Sequence, residues 1–586
     1  MKKRIAFILA LTVIAVLFTG CGNAPVDSDT SLIPADGSAS PSQTETATTP
    51  DDEQSPYNFA AGKFETDELG FPKSTYDYEL PISTTDEVLT YWTTCFISDL
   101  LPEEGYDAID FQIAEQETTG IDIEYLVIPW QTRSDNFTTL LAADDLPDLM
   151  NQVSNFYAGT MINGIEEGYF ANIYDFKEYC PNYLYFAISH DDDPNVYPTV
   201  FLNDTTIFGF INMKTMAFPS AGTVGARGDW LDDLNMTNDD IVTVDDLYNL
   251  AKLFKAEKGA QWPFFITNNI DMPGFFSCYD TYTCLSNPTQ AKFPGANVGP
   301  NGKVEFYYSN NKSQAFVAEM AKWVSEGLID PDWTSKDTGE GDQTITGVAG
   351  IAPQIPTMVG ATIAATDDPD CYWVCLKRPM LLEGQVFHLG DTASYTTYGD
   401  TEISAKCENI PLAVTWCDWR YSPAGSFLAS YGVEGTTWEY DDNGNIRATD
   451  FVLSHESGQS FNFLMTLFAY NMFAEHGLKI IESELMYDPD GGRAVIEWYE
   501  YFQDYEYDGA YEWPKGFSLN SAQSEEYMQY AADLDTYISE NVISFVNGDR
   551  PLSEWDTYIS QLQTIGLEQA IAVYQQAYDA YIVANG

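Results

Sequence analysis

The chain has 586 residues, with 26 Lys and Arg against 89 Asp and Glu and a formal net charge of −63. Clustered Lys and Arg make the phosphate contacts of nucleic-acid binders, so this composition excludes that class and disfavours polyanionic ligands. Hydrophobic residues at 45% and aromatics at 15% assign the acidity to a folded, soluble, self-repelling body large enough for several domains or one bilobed unit.

The N-terminus comes first in chain order. Lys2, Lys3 and Arg4 precede an apolar run from Ile5 to Phe18, which is an export signal too short to span a bilayer, since spanning takes about 20 residues. Leu17-Phe18-Thr19-Gly20-Cys21 resembles a bacterial lipobox, although Phe18 stands where Leu is usual three places before the Cys. The resemblance implies a signal peptide over 1–20 and lipidation of Cys21. From Gly22 to Gly62 the chain has no Lys or Arg and is rich in Ser, Thr, Pro and acids. The expectation is a disordered tether over 21–80. After Cys21, eight cysteines remain; Cys278/Cys284 and Cys371/Cys375 are nearest in sequence, and disulfides and buried free thiols are both open.

Val88–Trp92 reads as a strand, Ile109, Ile113 and Ala114 as a helix face, Ile121–Ile128 as a strand, Phe137, Leu140 and Leu141 as a second helix, and Leu146–Met150 as a third strand unit. This alternation implies an α/β fold with a parallel sheet, whose ligands sit beyond the carboxyl ends of the strands. Thr93, Thr94, Pro129, Trp130 and Asp148 are thereby placed near one edge. A second unit follows Arg227-Gly-Asp-Trp230. Thr243-Val-Asp-Asp246 starts a helix with a capping box, its apolar stripe is Leu247, Leu250, Ala251 and Phe254, and Gly259 ends it. Val304–Tyr308 reads as a strand, followed by a helix carrying Phe316, Met320 and Trp323. Trp416 and Trp419 belong to a helix core. The last third is helical, with Ile571, Tyr574, Tyr578 and Tyr581 in one stripe.

Together these segments resemble the lipoprotein solute-binding subunits of bacterial carbohydrate importers of the ATP-binding-cassette type. The resemblance is carried in order by the lipobox, Asp145-Leu-Pro-Asp148, Ile173-Tyr-Asp-Phe176, Cys180-Pro-Asn-Tyr183, Arg227-Gly-Asp-Trp-Leu231, Glu326-Gly-Leu-Ile-Asp330, Tyr431-Gly-Val-Glu-Gly-Thr-Thr-Trp438 and Phe545-Val-Asn-Gly548. It implies a helix-rich, two-lobed, periplasmic-binding-protein-like fold of type II with a crossover hinge. The first lobe would hold 81–215 and 385–586, the second 216–384. Some large members of that family carry a calcium loop where this chain reads Gly259-Ala-Gln-Trp-Pro-Phe-Phe265, a departure that puts calcium in doubt. Asp441-Asp-Asn-Gly-Asn445 lacks the Gly and Glu of an EF-hand at its sixth and twelfth positions and reads as a hairpin turn.

A sugar needs an aromatic face for its C–H patch and fixed polar groups for its hydroxyls. The candidates are Trp92, Thr94, Trp130 and Asp148 in the first lobe, Arg227, Asp229 and Trp230 in the second, and Glu434 and Trp438 at the Gly-x-Glu-Gly turn. For each, packing or an ordinary turn is the competing reading. No metal ligand set is expected, since the four histidines form no zinc motif, and no cofactor, since neither P-loop nor dinucleotide fingerprint appears. The expected protein is a non-catalytic monomer, lipid-anchored on the outer face of a Gram-positive cytoplasmic membrane. It would capture a neutral oligosaccharide and pass it to a permease. A membrane-anchored glycoside hydrolase, or a binder of peptide or another solute on the same fold, is the alternative.

Overall fold

The computed structural model describes residues 55–586 except 96, 158, 191–192, 194, 219–222, 267–276, 282–295, 336–341, 355–358, 360–361, 364–365, 390–393, 458, 460, 470–474, 484–507, 515–516, 518 and 586. The signal segment 1–20, Cys21, the tether to 54 and Cys284 lie outside the described residues. Ser55–Gly586 is one compact unit, and no helix in its described part is long and apolar enough to cross a membrane.

Residues 55–80 correct the expected tether boundary, because they are packed. Tyr57, Phe59, Phe71 and Tyr78 join the core of the first sheet, and Asn58 N donates to Ile82 O at 2.7 Å. The aromatic density of this stretch provides the apolar area that 22–54 lacks, and burial of such area repays chain ordering.

Among the described residues, nine strands form the two largest sheets. They are β1 Val88–Thr93, β2 Asp122–Val127, β3 Leu149–Asn151, β4 Phe210–Phe218, β5 Thr223–Arg227, β6 Ile351–Gln354, β7 Trp373–Cys375, β8 Ser394–Ile403 and β9 Gly477–Lys479. The first sheet has the order β9-β4-β8-β3-β1-β2, and the second the order β6-β5-β7. In the first, β1 runs parallel to β2 and β3, and β9 parallel to β4, while β8 is antiparallel to both its neighbours. Five strands therefore present their carboxyl ends at one edge, together with the amino end of β8. The chain crosses from β4 to β5 at this edge and returns through β8.

The helix-forming patterns appear where expected. Helices Asp110–Thr119 and Arg133–Ala143 separate β1, β2 and β3. The capping box on Thr243 and Asp246 opens helix Val244–Glu257, whose buried residues include Leu247, Leu250, Ala251 and Phe254. Gly259 takes the left-handed conformation after it, with φ 73°, which an L side chain would resist. Helix Asn311–Ser325 buries Phe316, Met320 and Trp323. The Asp441–Asn445 turn joins strands Trp438–Tyr440 and Ile446–Ala448. There the Asp441 carboxylate accepts from the Asn443 and Asn445 amides at 2.8 Å.

The two largest cores correspond to the two sheets. The first contains Tyr91, Leu149, Phe210, Met213, Ile403, Trp416, Trp419 and Leu478. The second contains Val224, Trp230, Phe254, Trp323 and Trp333, but also Trp513, Phe545, Trp555, Tyr558 and Tyr574. This corrects the expected boundary at 385. The chain from β8 to β9 belongs with the first sheet, whereas the C-terminal helices Ser521–Asn547, Trp555–Ile565 and Leu567–Asn585 pack on the second core. Trp513 Nε1 donates to Ala296 O at 2.8 Å, and Tyr558 OH to Tyr308 O at 3.0 Å, across that junction. Helical periodicity shows which face is apolar but not which sheet it covers.

The seven described cysteines after Cys21, namely Cys95, Cys180, Cys278, Cys371, Cys375, Cys407 and Cys417, are buried, and no disulfide joins any two of them. Burial pushes the Cys371 thiol up to about 11 and Cys407 to about 12.

Candidate functional site

The carboxyl edge of the first sheet gathers polar and aromatic side chains from four strand ends. After β2, Pro129 leads into Trp130, an indole that stays 38% exposed. Arg133, first residue of the next helix, lays its guanidinium 3.7 Å from the centroid of that ring and 5.0 Å from Phe156. It donates to Asn151 Oδ1 at 3.2 Å and to Gln152 Oε1 at 3.3 Å. Both acceptors stand at the end of β3, where Gln152 adopts φ 56°. Tyr398 of β8 has a half-exposed ring and an enclosed hydroxyl hydrogen-bonded with Gln152 and Arg133. Burial drives that hydroxyl up from its ordinary value and, more strongly, lowers Arg133 to about 10, which leaves the guanidinium protonated at neutral pH.

Beside this cluster, Ser154 joins β3 to β8. Its Oγ donates to Asp400 Oδ2 at 2.8 Å and its backbone N–H to Glu402 Oε1 at 3.0 Å. Glu402 is fully buried, and burial followed by the Asp400 charge pushes its carboxyl well above the usual range. Further along the edge, Lys214 and Lys479 are register partners on β4 and β9, with Thr215 and Glu482 exposed next to them. Among the described residues no group of three or more His, Cys, Asp or Glu could hold a metal ion.

The sequence candidates separate under this geometry. Trp130 is partly exposed at the edge. Trp92 is 1% exposed, donates from Nε1 to Asn136 Oδ1 at 2.7 Å and packs with Phe137, Met150 and Phe170; it is a core indole, and the platform reading is corrected. Thr94 is buried with its hydroxyl on Ile128 O at 2.7 Å, a lock between β1 and the exit of β2. Asp148 accepts from Thr90 N at 2.9 Å and Thr90 Oγ1 at 2.8 Å, so its carboxylate fixes the β1–β3 register instead of facing the edge.

Arg227 and Asp229 do pair, through Nε and Nη2 at 2.7 and 2.6 Å, and Asp368 adds a contact at 2.5 Å. Burial opposes the Arg227 charge, and the Asp229 and Asp368 carboxylates more than offset it. The trio sits at the end of β5 remote from the crossing, since Thr223 is the end nearest β4, and two acids already occupy the guanidinium. Trp230 is buried edge-on against Phe254 at 5.1 Å. These three residues order the second core, which corrects their assignment to ligand.

Glu434 is exposed at its turn, between Gly432 and Gly435, both at positive φ. Trp438 is buried, with Nε1 on Gly432 O at 3.1 Å and Phe427 edge-on at 5.5 Å; it holds the turn and is not a platform. The sequence reading missed Arg133, Asn151, Gln152 and Tyr398. One signal for them was present: Trp130 and Arg133 are three apart at a helix start, a spacing that brings side chains together.

No known family model matches the chain, and no curated protein matches it in sequence. Solved structures do match it in shape. One is an alginate-binding protein, AlgQ2, crystallised without calcium, at 21% identity and TM-score 0.63, covering 84% of this chain and 99% of that one. A second is the Streptococcus pneumoniae ABC-transporter substrate-binding protein FusA in complex with kestose, at 18% and 0.62, covering 85% and 100%. A third is a solute-binding protein of Bifidobacterium longum infantis described as HMO-binding and ABC-transporter-associated, at 16% and 0.62, covering 84% and 99%. The chain has the two-lobed solute-binding-protein fold. In that fold the two sheets and their cores are the two lobes, and β4 and β8 are the strands that carry the chain between them. The Trp130 cluster stands at the edge of the first lobe where the chain crosses to the second.

Proposed function

We propose that this protein is a non-catalytic solute-binding lipoprotein that captures an oligosaccharide between its lobes and delivers it to the permease of an ABC importer. The observation that carries the reading is Trp130: a partly exposed indole at the crossing edge, stacked on Arg133, which is itself held by the Asn151 and Gln152 amides and by Tyr398. That arrangement suits a sugar, whose C–H patch packs on the ring while its hydroxyls find fixed donors and acceptors. The solved proteins of the same fold named above are described as binders of alginate, kestose and HMO, which supports the same ligand class here.

A net charge of −63 favours a neutral oligosaccharide, because a uronic-acid polymer would meet a repulsive field. Lobe closure on the sugar would shift an open–closed equilibrium and create the surface the permease reads. The lipobox-like segment, by this reading, anchors a monomer to the outer face of the cytoplasmic membrane through Cys21. The test is calorimetric titration of the full-length protein in detergent with kestose, maltotetraose, xylotetraose and mannotetraose. Saturable binding of one of them, lost in Trp130→Ala, supports the reading; binding of peptides alone, or release of new reducing ends, overturns it.

A further inference from the structure

Arg133 presents a physical puzzle. It is only 2% exposed, it opens a helix, where the macrodipole disfavours a cation, and removal of a guanidinium from water is costly. Its direct contacts are the Asn151 and Gln152 amide oxygens, the Tyr398 hydroxyl and the faces of Trp130 and Phe156, none of them a carboxylate. Its Nε is buried without a hydrogen-bond partner. An arrangement this costly does not serve stability alone, since an apolar side chain in the same place would avoid the desolvation.

What the guanidinium achieves is geometric. It is a flat plate in contact with one face of the Trp130 indole, and its Nη atoms are tied to the end of β3 and to the crossing strand β8. With that face covered, Trp130 as a whole still stays 38% exposed. We propose that Arg133 is a positioning residue: it fixes the Trp130 ring at the angle at which a sugar stacks, and it is held in turn by the end of β3 and by Tyr398 of the crossing strand β8. This rests on the oligosaccharide reading of the site. Preorganisation of that kind improves affinity by removing the cost of ordering the ring on binding. A lysine keeps the charge but lacks both the plane and the fork, so it cannot substitute.

The experiment is a double-mutant cycle in the full-length protein, with Arg133→Lys, Trp130→Ala and the pair, titrated with whichever of the four neutral oligosaccharides binds. Acrylamide quenching of the Trp130 fluorescence, taken as the difference from Trp130→Phe, is measured in parallel. Arg133→Lys is expected to weaken binding about tenfold when Trp130 is present and to change it little in the Trp130→Ala background, with Trp130 quenching increased. Equal weakening in both backgrounds, or none in either, overturns the proposal. If no oligosaccharide binds the unaltered protein, the functional reading fails by itself; Trp130 quenching that is then unchanged by Arg133→Lys overturns the positioning role too, and increased quenching supports it. Should Arg133→Lys not fold, Tyr398→Phe removes one arm of the clamp with the ring retained, and the same quenching and affinity coupling are expected.

Discussion

Lys214 and Lys479 face each other as register partners on the parallel strands β4 and β9, so that two buried ammonium groups share one rung of the first sheet. Burial, reinforced by the Lys214 charge, pulls Lys479 down to about 7, against about 10.4 in an unfolded chain. The folded protein therefore disfavours the Lys479 proton. The penalty is fully present below pH 7 and is relieved as pH rises from 7 towards 10, because there the unfolded chain holds more protons than the folded one. Lys479→Met should raise the ligand-free Tm at pH 6 by more than at pH 9.5. An equal change at both values would show that Lys479 does not titrate in this window.

A different economy governs Arg420, which is buried with Glu115 and Glu475. It donates from Nε and Nη2 to Glu115 at 2.7 and 2.8 Å and from Nη1 to Glu475 at 2.5 Å. Arg420→Met would strand two buried carboxylates, and loss of a buried partner costs about 3–5 kcal/mol. Urea denaturation should show that loss, with a much smaller one for the exposed pair Arg447–Glu439.

The seven described cysteines are enclosed, and burial raises the thiols of Cys95, Cys180, Cys278, Cys371, Cys407 and Cys417, so the native protein should not expose them to a thiol reagent. In a Cys21→Ser, Cys284→Ser variant, the reagent is expected to label no cysteine until denaturant is added, and a reducing agent should leave the Tm unchanged. Stoichiometric labelling of the native variant would contradict the packing described.

Trp92 and Trp130 lie on successive strand exits yet should respond oppositely. Trp92→Phe loses the Asn136 hydrogen bond and some packing, and is expected to lower stability by about 1–2 kcal/mol without altering sugar affinity. Trp130→Ala should leave the ligand-free Tm almost unchanged and abolish or greatly weaken binding. Calorimetry paired with thermal melts separates the two.

The contrast between these tryptophans also shows what the sequence could convey. Strands 88–93 and 122–127 and the helices at 244–257 and 311–325 were legible because period and capping are local properties of the chain. Both Trp92 and Trp130 follow from that pattern to a strand end, but their exposure depends on Phe137, Phe156 and Arg133, contributed by later turns of the chain. The same limit applies to Asp148, whose partner Thr90 is 58 residues away, and to the C-terminal helices, whose apolar stripe at Tyr574 and Tyr578 was visible while its docking on the second lobe was not. Arg227–Asp229 was legible as a pair since only Gly228 separates them; that Asp368 would complete the trio, remote from the crossing, required the fold.

The central claim is that the protein binds an oligosaccharide without altering it. The most direct measurement is a thermal-shift series of the full-length protein with neutral oligosaccharides, acidic oligosaccharides and peptides, with reducing ends assayed in the same wells. Binding to the folded state raises Tm by mass action. The account predicts a dose-dependent rise with a neutral oligosaccharide, no new reducing ends, and no such rise in Trp130→Ala. A rise with peptides alone, or sugar cleavage in the wells, would contradict it.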